Sequence, residues 1–205
     1  MNKRPKSGRL RIVGGQWRGR KLTFPAAADL RPTPDRVRET LFNWLQAIIP
    51  GARCLDLFAG SGALGLEALS RDAASAVMVE KNPQIADRIR THLQTLGATN
   101  GDVITADVIQ FLQRPATPFD LVFLDPPYRM DCLAQCRELL EHRGWLSDHA
   151  YIYLEAPSRI PLPPLPSNWS VTRSKTAGDV GYHLARRTHE KAGDFSSPRM
   201  TTAKR

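Results

Sequence analysis

Residues 119–128, Phe-Asp-Leu-Val-Phe-Leu-Asp-Pro-Pro-Tyr, carry the clearest chemical signal in the chain. An apolar run ends there on an acid, two prolines and an aromatic. Neither Pro126 nor Pro127 has an N–H to donate, so a β ladder must stop at this point. The carbonyls of Asp125 and Pro126 are left as acceptors beside the Asp125 carboxylate. Acceptors so grouped suit the N–H bonds of an exocyclic amine on guanine, adenine or cytosine. Such an amine is a poor nucleophile because its lone pair is delocalised into the ring, and acceptors that grip its hydrogens help it pyramidalise. Tyr128 offers a face on which a base drawn out of its stack can lie.

A second constellation precedes it. Cys54-Leu-Asp-Leu-Phe-Ala-Gly-Ser-Gly-Ala-Leu-Gly65 runs from an apolar strand into a glycine-rich turn and then a helix, with Gly60, Gly62 and Gly65 in G-x-G-x-x-G spacing. Glycines there let backbone approach a ligand closely. The pattern also describes nicotinamide-dinucleotide sites, and Glu80, at the end of the next apolar run, fits ribose binding in either case. Asp56 lies inside an apolar strand, where burial is costly without a cationic or hydrogen-bonding partner; an aminoacyl ammonium could supply one. Asp107, after the third apolar run, can accept from an adenine amino group or cap the helix that follows, and the two roles are compatible.

A third feature is electrostatic. The formal net charge of +9 is concentrated at the start: Lys3, Arg4, Lys6, Arg9, Arg11, Arg18, Arg20 and Lys21 all precede the first acid, Asp29. Such a segment suits a polyanion, since each phosphate contact releases condensed counterions. From Arg9 to Phe24 apolar, aromatic and basic residues interleave with glycines, which reads as a hairpin displaying Arg11, Arg18, Arg20 and Lys21 to nucleic acid.

These groups need a scaffold to bring them together. From residue 52 short apolar runs alternate with amphipathic stretches, the signature of a parallel sheet with crossover helices. The expected strands are Arg53 to Phe58, Ala76 to Val79, Val103 to Ala106, Leu121 to Leu124 and Tyr151 to Leu154. Helices are expected near residues 63 to 71, 83 to 96, 108 to 113 and 131 to 143. Right-handed crossovers put every strand's carboxyl end on one edge, where ligands bind. Ahead of the sheet, Thr33 can cap a helix that starts with Pro34 and Asp35, presents Val37, Leu41, Trp44, Leu45 and Ile48 on one face, and ends at Pro50-Gly51. Pro157 to Pro166 must be an extended connection. Trp169 to Lys175 and Val180 to Arg187, joined by Gly178-Asp179, form an antiparallel hairpin that closes the sheet. The fold class is thus α/β, with residues 1–30 as a basic extension and small β-hairpin, 31–187 as the catalytic domain and 188–205 as a polar tail expected to be disordered.

Composition excludes several classes. The 205 residues, 41% hydrophobic, suffice for one substantial core. No apolar stretch approaches the roughly 20 residues of a membrane span, and the basic first segment lacks a secretory core, so a cytoplasmic protein without a membrane partner is expected. Cys54, Cys132 and Cys136 have neither the parity of a disulfide framework nor zinc-site spacing, and no metal is expected.

The motifs together resemble the class I S-adenosylmethionine methyltransferases: Asp56 to Gly62 as the glycine motif, Glu80 as the ribose acid, and Asp125 to Tyr128 as the amino-methylating D/N-P-P-Y tetrapeptide. More narrowly, R-I-V-G-G-Q-W-R-G-R-K-L, R-P-T-P-D-R-V-R-E-T-L-F-N-W-L, L-D-L-F-A-G-S-G-A-L-G-L-E-A-L-S-R and D-L-V-F-L-D-P-P-Y are similar to the RsmD family. The resemblance spans roughly residues 9 to 187. It implies a Rossmann-like, seven-stranded, mostly parallel sheet with a reversed last strand, S-adenosyl-L-methionine as cofactor, and methylation of guanine N2 in 16S ribosomal RNA of the small subunit or its assembly intermediate, with guanine 966 as the family expectation. It also implies that Arg31 to Arg36, Thr33 among them, lie beside the cofactor with Phe58, and that the basic hairpin touches RNA. No obligate protein partner is indicated and a monomer is expected. Two alternatives stay open on the residues alone: a DNA adenine-N6 or cytosine-N4 methyltransferase, which the same tetrapeptide serves, and a non-catalytic RNA-binding assembly factor on the same fold.

Overall fold

The computed structural model describes residues 8–24, 34–126 and 132–188. Nine strands and five helices alternate along these residues. Two short strands, β1 (Gly8–Arg11) and β2 (Lys21–Phe24), pair antiparallel as a separate hairpin. The main sheet has seven strands in the order β5-β4-β3-β6-β7-β9-β8. Its parallel part comprises β3 (Arg53–Asp56), β4 (Ser75–Glu80), β5 (Gly101–Thr105), β6 (Phe119–Leu124) and β7 (Leu146–Pro157). The final strands β8 (Trp169–Ala177) and β9 (Val180–Arg187) turn back through Gly178, whose φ of +60° suits the tight connection. β9 inserts between β7 and β8, antiparallel to both. The expected α/β class with a reversed last strand is what the chain adopts.

Helices cover both faces. α1 (Asp35–Trp44), α2 (Ala63–Ser70) and α3 (Pro83–Leu96) share one apolar cluster with the N-terminal hairpin. α4 (Val108–Leu112) and α5 (Leu133–His142) pack in a second cluster on the other face. The central strands are therefore buried on both sides, and β6 is apolar at nearly every position accordingly. α3 shows the local rules at work. Asn82 accepts from the backbone N–H groups of Gln84 and Ile85 at 2.9 and 3.4 Å, Pro83 occupies the first turn, and Gly97 ends the helix at a φ of +68°.

Three boundaries differ from the sequence reading. The cap position of α1 is Pro34, with no side-chain cap bond, and Thr33 lies outside the described residues. The same helix ends at Trp44 instead of reaching Pro50. The backbone tightens there, Ile48 N bonding to the Leu45 carbonyl at 2.8 Å, ahead of Pro50, which has no N–H for the Gln46 carbonyl and whose ring would clash with it in a continued helix. β7 is longer than Tyr151 to Leu154 at both ends, since β9 pairs along it as far as Pro157. A proline at a strand's last residue costs no ladder bond that the strand needs.

The hairpin is fastened to the main body rather than appended to it. Leu10, Ile12, Leu22 and Phe24 are all buried in the first cluster. Ser70 Oγ donates to the Gly14 carbonyl at 2.6 Å and accepts from Trp17 N–H at 3.0 Å, and His92 Nε2 donates to the Thr23 carbonyl at 3.0 Å. The centre of the clasp is Glu67, fully buried. Its carboxylate accepts from Val13 N–H at 2.8 Å and Arg71 Nε at 2.8 Å, and lies 3.6 Å from the buried guanidinium of Arg38.

Candidate active site

Strand register assembles the site. Asp56 lies opposite Phe123 on one side and Met78 on the other, and Glu80 lies opposite Thr105. Leu124 lies opposite Leu154. The residues just beyond these pairs therefore leave one edge in a row: Asp107 after β5, Glu80 ending β4, the glycine turn after β3, Asp125 after β6 and Glu155 on β7. Adjacent strands stand about 4.8 Å apart, so five strands bring groups scattered over 100 residues of sequence within reach of one medium-sized ligand pair.

The glycine turn is held by carboxylates. Gly60 and Gly62 have φ of +51° and +79°, and Gly62 starts α2 in the left-handed conformation. Gly65 sets a close helix-to-strand approach, since a Cβ there would stand 2.5 Å from Met78 Cγ. Asp56 accepts from Gly65 N–H at 3.1 Å and is 3% exposed. Burial pushes its carboxyl up to about 7, against the lowering effect of the N–H groups of Gly65 and Phe58, and the charge of Glu80 raises it further. Phe58 packs half-buried against the second cluster.

Glu80 accepts from Gly60 N–H at 2.9 Å through Oε2 and from Asn82 N–H at 2.8 Å through Oε1. Each oxygen keeps a second lone pair for a hydroxyl. Asp107 caps α4: Oδ1 accepts from both Ile109 and Gln110 N–H, at 2.9 and 3.3 Å. The cap uses Oδ1 alone, so it is compatible with a second role for the carboxylate through Oδ2. A turn of backbone N–H groups flanked by three carboxylates suits a nucleoside bearing a cationic amino acid. It suits a pyrophosphate poorly, because Asp56, Glu80 and Asp107 would repel it.

Asp125 and Pro126 follow directly on β6, with Pro126 buried. Pro127 and Tyr128 lie outside the described residues. The Asp125 carboxyl lies within hydrogen-bonding reach of that of Glu155, a buried acid that accepts from the Tyr153 hydroxyl at 2.5 Å. Glu155 was missed in the sequence reading, although an acid within Tyr-Ile-Tyr-Leu-Glu-Ala is the same signal that singled out Asp56.

The four basic residues assigned to nucleic acid divide. Arg18, Arg20 and Lys21 are exposed around the hairpin turn. Arg11 is partly committed: Nε and a terminal nitrogen lie 3.0 and 2.9 Å from Asp35 Oδ2, and its carbonyl accepts from Arg38 at 2.7 Å. A shallow concavity at the other end of β6 and β7, lined by Ala47, Ile48, Asp120 and Tyr151, contains none of these groups.

Known proteins match this arrangement over nearly its whole length. The family model described as Conserved hypothetical protein 95 matches residues 10–186. The curated Ribosomal RNA small subunit methyltransferase D of Escherichia coli is 50% identical over 188 residues, covering 92% of this chain and 95% of its own length. The chain belongs to the RsmD family. Its Haemophilus influenzae counterpart of the same name is 44% identical over 181 residues, covering 86% of this RsmD-family chain and 93% of itself. The solved structure of yhhF from Escherichia coli superposes with a TM-score of 0.82 at 50% identity, over 89% of this chain and all of that one. This is the class I methyltransferase fold, and Asp56, Glu80, Asp107 and Asp125 gather along one edge of its sheet.

Proposed function

We propose that this protein transfers a methyl group from S-adenosyl-L-methionine to the exocyclic N2 of a guanine in 16S ribosomal RNA of the small subunit, guanine 966 by the family expectation. The observation that supports the reading is the register of β3 with β6, by which Asp125 and Pro126, following β6, leave the sheet next to the glycine turn that follows β3. The names of the relatives, Ribosomal RNA small subunit methyltransferase D, support RNA as the substrate. The exposed Arg18, Arg20 and Lys21 suit its phosphates.

S-Adenosylmethionine, when bound, supplies an activated methyl group on a sulfonium. Asp56 and the turn would hold its aminoacyl part, Glu80 its ribose, Asp107 its adenine amino group, with Phe58 and Thr33 alongside. The protein's remaining task is to orient the amine in line with that methyl and to exclude water. Asp125 and the Pro126 carbonyl grip the N–H bonds, and Tyr128 stacks on the base.

Asp56→Asn separates the cofactor role from the structural one. A carboxyl with a raised folded pKa binds its proton more tightly folded than unfolded. The stability tied to that proton is full below the unfolded value of about 3.9 and lost as pH rises through about 7. Asn carries no such proton. Thermal melts of the ligand-free variant should lose this decline and match or exceed the parent at alkaline pH, while calorimetry shows cofactor affinity falling about tenfold or more. Unchanged affinity would take the ammonium away from Asp56.

Reversing charge at Arg18 and Arg20 should weaken RNA binding and reduce its salt slope by about 1 to 2, with cofactor affinity intact. An unchanged slope would make the hairpin a structural element only. The function as a whole is tested by nucleoside analysis of small-subunit RNA from cells with and without the protein. Loss of N2-methylguanosine at one position is expected; an unaltered nucleoside profile would refute the reading.

A further inference from the structure

Glu155 sits where the mechanism so far gives it nothing to do. It is 5% exposed, on β7, directly after Leu154, whose register partner Leu124 directly precedes Asp125. Register neighbours on parallel strands project to the same face, so the two carboxyl groups meet side by side, within hydrogen-bonding reach of each other. Two carboxylates cannot bond to each other without a proton between them. Tyr153, two residues earlier on the same face, donates its hydroxyl to Glu155 Oε1 at 2.5 Å and fixes the rotamer of the acid from behind.

We propose that Glu155 is a positioning residue for the transfer: its carboxyl holds that of Asp125 through one shared proton and so aims the other Asp125 oxygen at the target amine. The inference rests on the amino-methylation reading above. It gives Asp125 a fixed orientation in place of a freely rotating side chain. It also leaves the pair with a single negative charge, spread over two groups, to face the nitrogen as that atom becomes positive.

The surroundings favour the singly protonated pair. Burial raises the proton affinity of Glu155, against the lowering effects of its hydrogen bonds to Tyr153 and Asp125. The other titratable groups on this face among the described residues include one acid, Asp56, in register with Phe123 and itself raised by burial, and two phenols: Tyr153, raised well above its ordinary value by burial and then by the charge of Glu155, and Tyr182, which lies opposite Glu155 on β9. α1 packs over the same face through Phe42 on Phe123 and Trp44 on Tyr182. Its buried cation, Arg38, is engaged by Asp35, Glu67 and the Arg11 carbonyl. A pair that shares a proton titrates in two steps that belong to both members, and the working form lies between them.

The test combines kinetics with a titration that needs no cofactor. With the RNA substrate, kcat of the parent protein should fall as pH rises through the upper step, when both acids ionise and the bond between them is lost. Glu155→Gln carries a permanent donor, so it should keep a near-parental plateau and lose the alkaline decline. Glu155→Ala should lower kcat about tenfold to a hundredfold, the scale of a misaligned reacting group, with cofactor affinity unchanged. In the ligand-free protein, carbon-13 NMR should show the Glu155 carboxyl titrating above the ordinary carboxylate range, with a midpoint that moves in Asp125→Asn. An ordinary Glu155 titration, indifferent to Asp125, would overturn the proposal whatever the protein methylates. So would Glu155→Gln retaining the alkaline decline, or Glu155→Ala turning over at the parental rate. Loss of the substrate assignment with the coupled titration intact would instead remove only the reading of the target.

Discussion

Replacement of Asp125 by alanine is expected to lower the rate of methyl transfer by about 10²- to 10³-fold, or about 2.7 to 4 kcal/mol, the range seen when one preorganised polar contact to developing charge is removed. The carboxyl emerges from β6 beside the glycine turn, where the proposed function puts the amine. The loss belongs to the transition state. The nitrogen becomes positive only as it attacks, and an acceptor on its N–H is worth most at that moment. Calorimetry should therefore find cofactor affinity close to parental, while single-turnover transfer collapses. Asp125→Asn, which keeps a carbonyl acceptor, should retain measurable activity. A near-normal rate for the alanine variant would remove Asp125 from the mechanism and leave the backbone carbonyls to do its work.

The largest expected effect on stability lies at Glu67. This carboxylate is fully buried and ties three parts of the chain together: Val13 of the hairpin segment, Arg38 of α1 and Arg71 after α2. Glu67→Ala leaves the Arg38 guanidinium, which is 1% exposed, with Asp35 as its remaining acid and leaves Val13 N–H unpaired. Breaking a buried pair by removing one member costs about 3 to 5 kcal/mol, because the survivor's charge stays buried. In a domain of this size that is a fall of about 10 °C in Tm, at ~2 to 4 °C per kcal/mol. Glu67→Gln keeps an acceptor for Val13 and should cost less. Urea titrations decide it. A loss below about 1 kcal/mol for the alanine variant would mean that the hairpin is held by its apolar face alone. Since Arg18, Arg20 and Lys21 ride on that hairpin, its loosening should also weaken RNA binding more than cofactor binding.

Glu67 also marks the limit of what the sequence discloses. Apolar runs and glycine positions gave the order of strands and helices, since burial on both faces leaves a parallel strand little freedom in composition. Asp56, Glu80, Asp107 and Asp125 were legible because each ends or interrupts an apolar strand at a spacing with a known chemical use. Glu67, Arg38 and Glu155 were not singled out, although acids within Leu-Gly-Leu-Glu-Ala-Leu and Tyr-Leu-Glu-Ala are anomalous in the same way. What was lacking is tertiary. A buried acid announces that it has a partner, not which one, and the partners here lie 54 residues away for Val13 with Glu67 and on a neighbouring strand for Asp125 with Glu155. The committed state of Arg11 was equally hidden, for its pairing with Asp35 depends on where the hairpin docks. The early end of α1 and the long β7 follow from Pro50 and from pairing with β9, effects that local periodicity does not register.

The most direct test of the central claim is transfer of labelled methyl from S-adenosylmethionine by the purified protein, offered small ribosomal subunits, naked 16S RNA, DNA and total protein from cells that lack it. Label confined to small-subunit RNA and recovered as N2-methylguanosine is the predicted result. Label appearing in DNA or protein with none in RNA would contradict it, keeping the fold and the amine-gripping edge but giving them another substrate.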